Sequence, residues 1–509
     1  MAEMKYYNIQ TYVDALEKRD MLKDYDLCGQ GEKVITTLTF DSRAVKEDTM
    51  FICKGAAFKA EYLEQSVAKG ATAYVSENRY ELDQEVPYIL VKDIRKAMSV
   101  LANLFYNRPW EDLNVIAFGG TKGKSTSAFY MKAVIDDYME KLGKKDSAIL
   151  SSIQMYDGKT DKESHMTTPE AVELQKHLRN VCDSDMGYVQ MEVSSQALKY
   201  HRVDDMKFDI GVFLNISEDH ISPIEHKDFE DYLSSKMLMF EKTKTAVVNL
   251  DIDELDRVLE EAKAAEEVLT FSTVDEKADF YAYNIRKDGN ATRFSVRCAA
   301  FDEDFVLTMP GLFNVENALS VIAAAVKLEI PVEFIYSGLE RARSKGRMEL
   351  FASKDNKIIA IVDFAHNKLS FEKLFSSMEK EYPDHEIVAV FGCPGNKAFN
   401  RRKDMGTIAG KYAKKVYIVA DDPAFESVAD ISNEIAKYVE AEHCPYEKIE
   451  DRGEAIAKVI REAKDKTLLI VAGKGREANL KYGNEYVDCP SDVDNVEKYI
   501  AEYNEAHRL

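Results

Sequence analysis

The stretch Val115-Ile-Ala-Phe-Gly-Gly-Thr-Lys-Gly-Lys-Ser-Thr126 limits the possible folds more than any other part of the chain. An apolar run breaks at Gly119 and Gly120, passes through Gly123-Lys124-Ser125, and gives way to a helical pattern opened by Ala128-Phe-Tyr-Met131. Strand, glycine turn and helix in that order belong to a parallel α/β sheet, whose ligands bind outside the carboxyl ends of the strands. Gly119, Gly120 and Gly123 let backbone N–H groups turn towards an anion, and the helix N-terminus adds partial positive charge. Lys124 can reach the β- and γ-phosphates of a nucleotide, and Ser125 can hold Mg²⁺. The spacing G-x-x-G-K-S is shorter than the usual phosphate loop, so on its own it leaves an ordinary glycine-rich turn open.

At 509 residues the chain has room for about three domains. Residues 1–110 alternate short strands (50–53, 71–76) with a helix over 62–69, a small α/β unit that ends at the turn Asn107-Arg-Pro-Trp110. Residues 111–345 continue the alternation, with strands at 188–193 and 208–215 whose ends carry polar residues, and a helix at 314–325. Residues 346–509 hold four strand-like runs (358–363, 387–391, 416–419, 467–472) between helical patterns, a second Rossmann-like sheet. The acidic stretches 260–267 and 434–442 read as solvated helix faces.

A net charge of −22 excludes a general nucleic-acid binder, which would show a basic face. Seven scattered cysteines without a C-x-x-C pair read as free thiols. No apolar run approaches a membrane span. The expectation is a cytoplasmic, monomeric protein without a membrane partner.

Among the residues able to carry chemistry, Glu192 ends a strand, His220 follows the next one, and Ser125 lies in the phosphate loop. Together they could hold Mg²⁺, which prefers oxygen ligands and is commonly bound through carboxylates and substrate phosphates. Glu192 could equally cap a helix beside Ser194, and His220 could be a structural hydrogen bonder. Lys236 sits among apolar residues at helical spacing, where a lysine ordinarily packs its stem and snorkels its ammonium.

Taken in order, these segments resemble the Mur ligases, ATP-dependent amide-bond-forming enzymes of peptidoglycan synthesis. The likeness is strongest to the type that adds the third residue to UDP-N-acetylmuramoyl-L-alanyl-D-glutamate. It spans essentially the whole chain: Asp41-Ser-Arg43, 120–126, Thr167-Thr-Pro-Glu170, 191–195, 215–220, Lys236, 314–317, Gly346-Arg-Met-Glu349, 362–366, Asp421-Asp-Pro423 and 472–477. The resemblance implies a three-domain architecture, with a UDP-substrate domain (1–110), a central phosphate-loop ATPase domain (111–345) and a C-terminal Rossmann-like domain that binds the amino acid (346–509). It gives Ser42 and Arg43 to the uridine diphosphate side, and Thr167, Thr168, Ser194 and Arg202 to the muramoyl-dipeptide. Gly120, Thr121, Lys122, Gly123, Lys124, Ser125 and Thr126 would hold the ATP phosphates, and Asn314, Asn317, Arg347, Asp363 and His366 the rest of the nucleotide. Ser125, Glu192, His220 and Lys236 would serve two Mg²⁺ ions, Lys236 after N-carboxylation to an anionic carbamate. Gly119, Lys122, Gln196 and Arg476 depart from the common family pattern without removing an expected metal ligand.

The implied reaction is acyl activation and aminolysis. The γ-phosphoryl group moves to the D-glutamyl side-chain carboxylate, and the amine of an amino acid displaces phosphate. Members that add meso-diaminopimelate carry Asp-Asn-Pro-Arg where this chain has Asp421-Asp422-Pro423-Ala424. Without that arginine a buried distal carboxylate loses its partner, at a cost of several kcal/mol, on the order of a hydrogen-bonded charge left unpaired. Asp422 suits an ammonium instead, which points to L-lysine, with Arg402, Gly473 and Glu477 at the α-carboxylate and amine. Ornithine or diaminopimelate as the added residue, a folylpolyglutamate-synthase-like enzyme, and a non-catalytic precursor-binding paralogue are the rival readings.

Overall fold

The computed structural model describes residues 4–55, 58–164, 166–218, 221, 225–289, 291–464 and 466–508. The chain divides into two compact units, Met1–Phe271 with Ser320–Ile335, and Ser272–Leu319 with Tyr336–Leu509. Both are α/β, as the alternating pattern predicts.

In the first unit the phosphate-loop strand Asn114–Gly119 is the centre of a parallel sheet. Tyr188–Glu192 and then Ala148–Leu150 lie on one side, and Phe208–Phe213, Thr243–Asn249 and Glu267–Ser272 on the other. Two short antiparallel strands, Gln154–Tyr156 and Asp161–Glu163, finish one edge. Neighbours of the central strand come from later, non-consecutive segments, so the sheet order switches there and opens a crevice at the strand carboxyl ends. Phe208, Phe213, Tyr232 and Phe240 are fully buried beneath it, each apolar side chain contributing roughly 1.5–3 kcal/mol. The helix after the loop starts at Lys124, four residues before the apolar pattern becomes visible, because its first turn is polar and faces the loop. Of the acidic stretch 260–267 only the first part lies on a helix, Leu255–Ala262; Glu267 opens a strand and pairs with Lys327.

The N-terminal part of this unit is a five-stranded sheet ordered Leu22–Asp26, Tyr88–Val91, Ala71–Ser76, Thr49–Ile52, Thr37–Thr39, parallel except for its first strand. Its apolar core accepts Ala171 and Val172 from the helix Ala171–Asp183 that follows Thr167-Thr-Pro-Glu170. Arg19 pairs with Asp205 at 2.8 Å and Asn103 Nδ2 donates to the Asp204 carbonyl at 3.2 Å. Apolar and polar contacts thus fix this part against the segment that carries Thr167 to Arg202.

The second unit holds a six-stranded sheet ordered Glu349–Ala352, Ile358–Asp363, Thr467–Ala472, Glu386–Phe391, Lys415–Ile418, Tyr446–Lys448, with only the first strand antiparallel. The four strand runs legible in the sequence are its centre. An antiparallel meander, Phe280–Asp288, Ala291–Arg297 and Asp302–Leu307, precedes it. Arg452 and Asp492 form a buried bidentate pair at 2.8 and 2.6 Å. The same guanidinium donates to the Ala420 and Ala472 carbonyls at 3.2 and 2.9 Å, tying two strand ends to two helices.

Removing one member of a buried ion pair strands the other charge, at a cost of about 3–5 kcal/mol, whereas replacing both is often near neutral. Asp492→Ala is therefore expected to lower the denaturant midpoint of the second unit strongly, and Asp492→Ala with Arg452→Met to recover most of the loss. An unchanged midpoint for the single variant would contradict the role given to the pair.

Candidate functional site

The phosphate loop is held from behind by the segment that leaves the strand Phe208–Phe213. Gly120 has φ +141°, and a Cβ there would stand 3.0 Å from Leu214 Cβ and 3.2 Å from the Asn215 nitrogen, so only glycine fits. Asn215 Oδ1 accepts from the Lys122 nitrogen at 2.8 Å, and its Nδ2 donates to the Lys122 carbonyl at 3.0 Å. The Thr121 nitrogen donates to the Asn215 carbonyl at 3.1 Å. Thr121 Oγ1 also meets the Tyr232 hydroxyl at 3.1 Å and accepts from the Ser217 nitrogen at 3.1 Å. Gly123, in the left-handed region, then starts the helix Lys124–Lys141. Lys124 Nζ folds back onto the Gly120 and Thr121 carbonyls at 2.9 and 3.2 Å. Thr126 is buried in the first turn of that helix.

Lys236 reaches the same loop from the helix Phe229–Met237. It is 4% exposed; its Nζ donates to the Gly120 carbonyl at 2.8 Å and stands 4.7 Å from the Tyr232 ring centroid. The snorkelling expected from sequence alone does not occur, since the ammonium points inward to the loop. Glu192 is 1% exposed. Its Oε1 accepts from both the Ser152 nitrogen (2.8 Å) and Ser152 Oγ (3.0 Å), and Ser152 Oγ lies 3.2 Å from Ser125 Oγ. Glu192 thus caps no helix; Ser194 does that, accepting from the Ala197 nitrogen. No local sequence signal marks Ser152, although it follows the strand Ala148–Leu150 at its carboxyl end, where ligands of a parallel sheet bind.

The hard oxygen donors of Ser125 and Glu192, joined through Ser152, fit Mg²⁺. Lys236 as an amine is a donor and becomes an oxygen ligand only if carboxylated. His220 lies outside the described residues. Among the described residues no three His, Cys, Asp or Glu side chains cluster as a metal site.

Thr168 links this centre to the substrate-side residues. Its hydroxyl donates to the Glu192 carbonyl at 2.9 Å and accepts from the Ser194 nitrogen at 3.1 Å. Arg202 Nη1 donates to the Thr168 carbonyl at 3.2 Å, and half-buried Thr167 precedes it. Asp41 and Arg43 pair at 2.9 Å on an exposed turn, and the arginine hydrogen bond holds the Asp41 carboxyl below its ordinary value. The Ser42 carbonyl accepts from Lys69 Nζ at 2.8 Å.

In the second unit Asn314 Nδ2 donates to the Pro310 carbonyl at 2.7 Å, and Asn317 Nδ2 to Asn314 Oδ1 at 2.9 Å. Asp363 accepts from the Met348 and Ala365 nitrogens at 2.8 and 2.7 Å. Arg347 lies over the Phe364 ring at 4.7 Å, and His366 Nδ1 donates to the Phe364 carbonyl at 2.7 Å. Asp421 and Gly473 close together: a Cβ on Gly473 (φ +110°) would stand 2.6 Å from Asp421 Oδ2. Burial raises the Asp421 pKa to about 6, with Arg452 and Lys474 only partly offsetting it. Lys474 bridges Asp422 (3.0 Å) and Glu477 (2.5 Å). Ala424 has φ +51° and its nitrogen donates to the Lys481 carbonyl at 2.9 Å. Arg402, 3% exposed, pairs with Glu426 at 2.8 Å and Glu434 at 2.6 Å, while its Nε finds no acceptor among the described residues.

Comparison with known proteins fits this arrangement. Residues 119–325 match the Mur ligase middle domain and residues 346–475 the Mur ligase glutamate ligase domain. The chain is 35% identical to a UDP-N-acetylmuramoyl-L-alanyl-D-glutamate–L-lysine ligase of Streptococcus pneumoniae serotype 2, covering 97% of this chain and 99% of that protein. The protein of the same name from Streptococcus agalactiae serotype Ia is 37% identical, over 91% and 92% of the two chains. A solved UDP-N-acetylmuramoyl-L-alanyl-D-glutamate–2,6-diaminopimelate ligase shares the fold with a TM-score of 0.69 at 21% identity, over 99% of this chain and 100% of that one. Two domain models and full-length likeness agree: the chain belongs to the Mur ligase family.

Proposed function

We propose that this chain joins L-lysine to UDP-N-acetylmuramoyl-L-alanyl-D-glutamate, with ATP converted to ADP and phosphate, as a step of peptidoglycan synthesis. The observation that carries the reading is the 35% identity over 97% of the chain to a relative named for that reaction. The phosphate loop from Gly120 to Thr126 holds the triphosphate, with Asn314, Asn317, Arg347, Asp363 and His366 serving the adenosine and remaining phosphate groups. Ser42 and Arg43 take the uridine diphosphate, and Thr167, Thr168, Ser194 and Arg202 the muramoyl-dipeptide. Ser125 and Glu192, with His220 and a carboxylated Lys236, would hold two Mg²⁺ ions, whose chemistry when bound would be to neutralise charge on phosphoryl oxygens. Lys124 and the loop N–H groups stabilise the charge that builds as the D-glutamyl carboxylate attacks. Carboxylation of Lys236 changes a buried donor into an anionic acceptor. The lysine amine then displaces phosphate from the acyl phosphate, and alignment of the two reactants supplies much of the rate.

The charge around residues 402–477 supports lysine as the incoming amino acid. Among the described residues, the cations shown against Asp421, Asp422, Glu426, Glu434, Glu477 and Asp492 are Arg402, Lys474 and Arg452. An excess of carboxylates favours an amino acid with a second ammonium over one with a second carboxylate. Ala424 offers no charge to a distal carboxylate, and Arg402 Nε, without an acceptor among the described residues, can donate to an α-carboxylate.

Phosphate release should require the UDP-dipeptide and run at least tenfold faster, in kcat/KM, with L-lysine than with meso-diaminopimelate or L-ornithine, the selectivity expected when a buried charge is left unpaired. Preference for diaminopimelate or ornithine would overturn the assignment, and no release with any of the three would favour a binding-only protein. A pH test follows from Asp421. Its pKa is higher folded than unfolded, so its contribution to stability is present at low pH and lost as pH rises through about 6. Over the same range it gains charge in the lysine pocket, so the KM for lysine should fall between pH 5 and pH 7. Asp421→Asn should flatten that slope and gain stability at neutral pH but not near pH 4; a slope preserved in the variant would remove Asp421 from the pocket.

A further inference from the structure

The helix Ala171–Asp183 begins with a glutamate that does not cap it. Glu170 occupies the N-cap position without a side-chain cap hydrogen bond, where serine, threonine or aspartate would serve the helix better. Its carboxylate is spent elsewhere. One oxygen meets Lys54 Nζ at 2.5 Å and the other meets Arg202 Nη2 at 2.9 Å. All three side chains are close to buried, at 10% exposure for Lys54, 12% for Arg202 and 13% for Glu170.

The charges do not balance. Lys54 is pushed below the ordinary lysine value first by burial and further by the neighbouring cations Arg202 and Arg95, while Glu170 is the anion acting on it. Arg202 Nε is buried and finds no acceptor among the described residues. A buried surplus of positive charge with an unsatisfied guanidinium donor is costly unless an anion arrives. Lys54 is also seated, its ammonium 4.8 Å from the centroid of the Phe40 ring, directly before Asp41-Ser42-Arg43. On its other side Arg202 holds the Thr168 carbonyl. The cluster therefore stands between the segments given to the uridine diphosphate and to the dipeptide.

The geometry points to Lys54 and Arg202 as a two-cation clamp for a carboxylate of the dipeptidyl substrate, with the Glu170 carboxylate as the internal stand-in that the substrate displaces. This rests on the proposed function for its substrate and adds Lys54, from the N-terminal sheet, as a substrate-positioning residue. A carboxylate fits better than the diphosphate because the clamp lies on the Thr168 side. It gives Glu170 a purpose that helix capping does not: it keeps two buried cations neutralised and oriented before substrate binds.

Calorimetric titration of the full chain with UDP and with UDP-N-acetylmuramoyl-L-alanyl-D-glutamate tests this. Lys54→Met should weaken the dipeptide substrate on the order of 10- to 100-fold, the usual loss of a charged hydrogen bond, and leave UDP affinity unchanged. Lys54→Arg should restore most of the affinity. Glu170→Gln should tighten the dipeptide substrate by about threefold to tenfold, since removing a competitor raises the competent fraction. Thermal melts of each variant identify any that fails to fold. Equal loss of UDP would assign Lys54 to the diphosphate and overturn the inference, as would unchanged binding in Lys54→Met or weaker binding in Glu170→Gln. If the wild-type chain binds UDP but not the dipeptide substrate, the proposed function fails before the clamp is tested.

Discussion

One amide side chain sets the shape of the phosphate loop. Asn215 holds both backbone polar groups of Lys122, and its own carbonyl takes the Thr121 N–H. Gly120 then passes the same residue with no space for a Cβ. Two adjacent parallel strands thereby fix a loop that would otherwise sample many conformations, and that preorganisation makes a row of N–H groups useful to a polyphosphate. Side chains from the neighbouring elements converge on this loop. Lys236 enters on the Gly120 carbonyl, Tyr232 on Thr121, and Ser152 connects Ser125 to Glu192.

Buried charge is the common currency of the two units, handled differently in each. Arg452 and Asp492 are matched, with each guanidinium nitrogen donating at least one hydrogen bond, a structural pair that joins strand ends to helices. Around Arg202 cations predominate, and around Asp421 carboxylates do. Such imbalances are unfavourable in a ligand-free protein and become favourable when an oppositely charged group is delivered. A surplus of cations beside Thr168 and a surplus of anions beside Gly473 are complementary to an acidic peptide and a diamine.

How much of this was legible in the sequence depends on the range of the contacts. The phosphate loop, the strand that ends at Glu192, the strand that precedes Asn215 and the four central strands of the second sheet follow from local periodicity. The helix start at Lys124 was hidden because a polar first turn carries no apolar signal. Lys236 could not be told from a snorkelling lysine, since its partner, Gly120, lies 116 residues away in sequence. Ser152 and Lys54 left no trace for the same reason: a lone serine or lysine acquires meaning only when the fold brings Glu192 or Glu170 to it. The resemblance to the Mur ligases gives roles to residues within the family motifs and none to these two, which lie outside those motifs.

The central claim is that a rigid, Asn215-braced loop binds the nucleotide. The most direct measurement is titration of a non-hydrolysable ATP analogue with Mg²⁺ into the wild-type chain and into Asn215→Ala. Nucleotide binding should be at least tenfold weaker in the variant, on the order of a lost pair of buried hydrogen bonds, with UDP binding retained. Equal nucleotide affinity in the two proteins would contradict it.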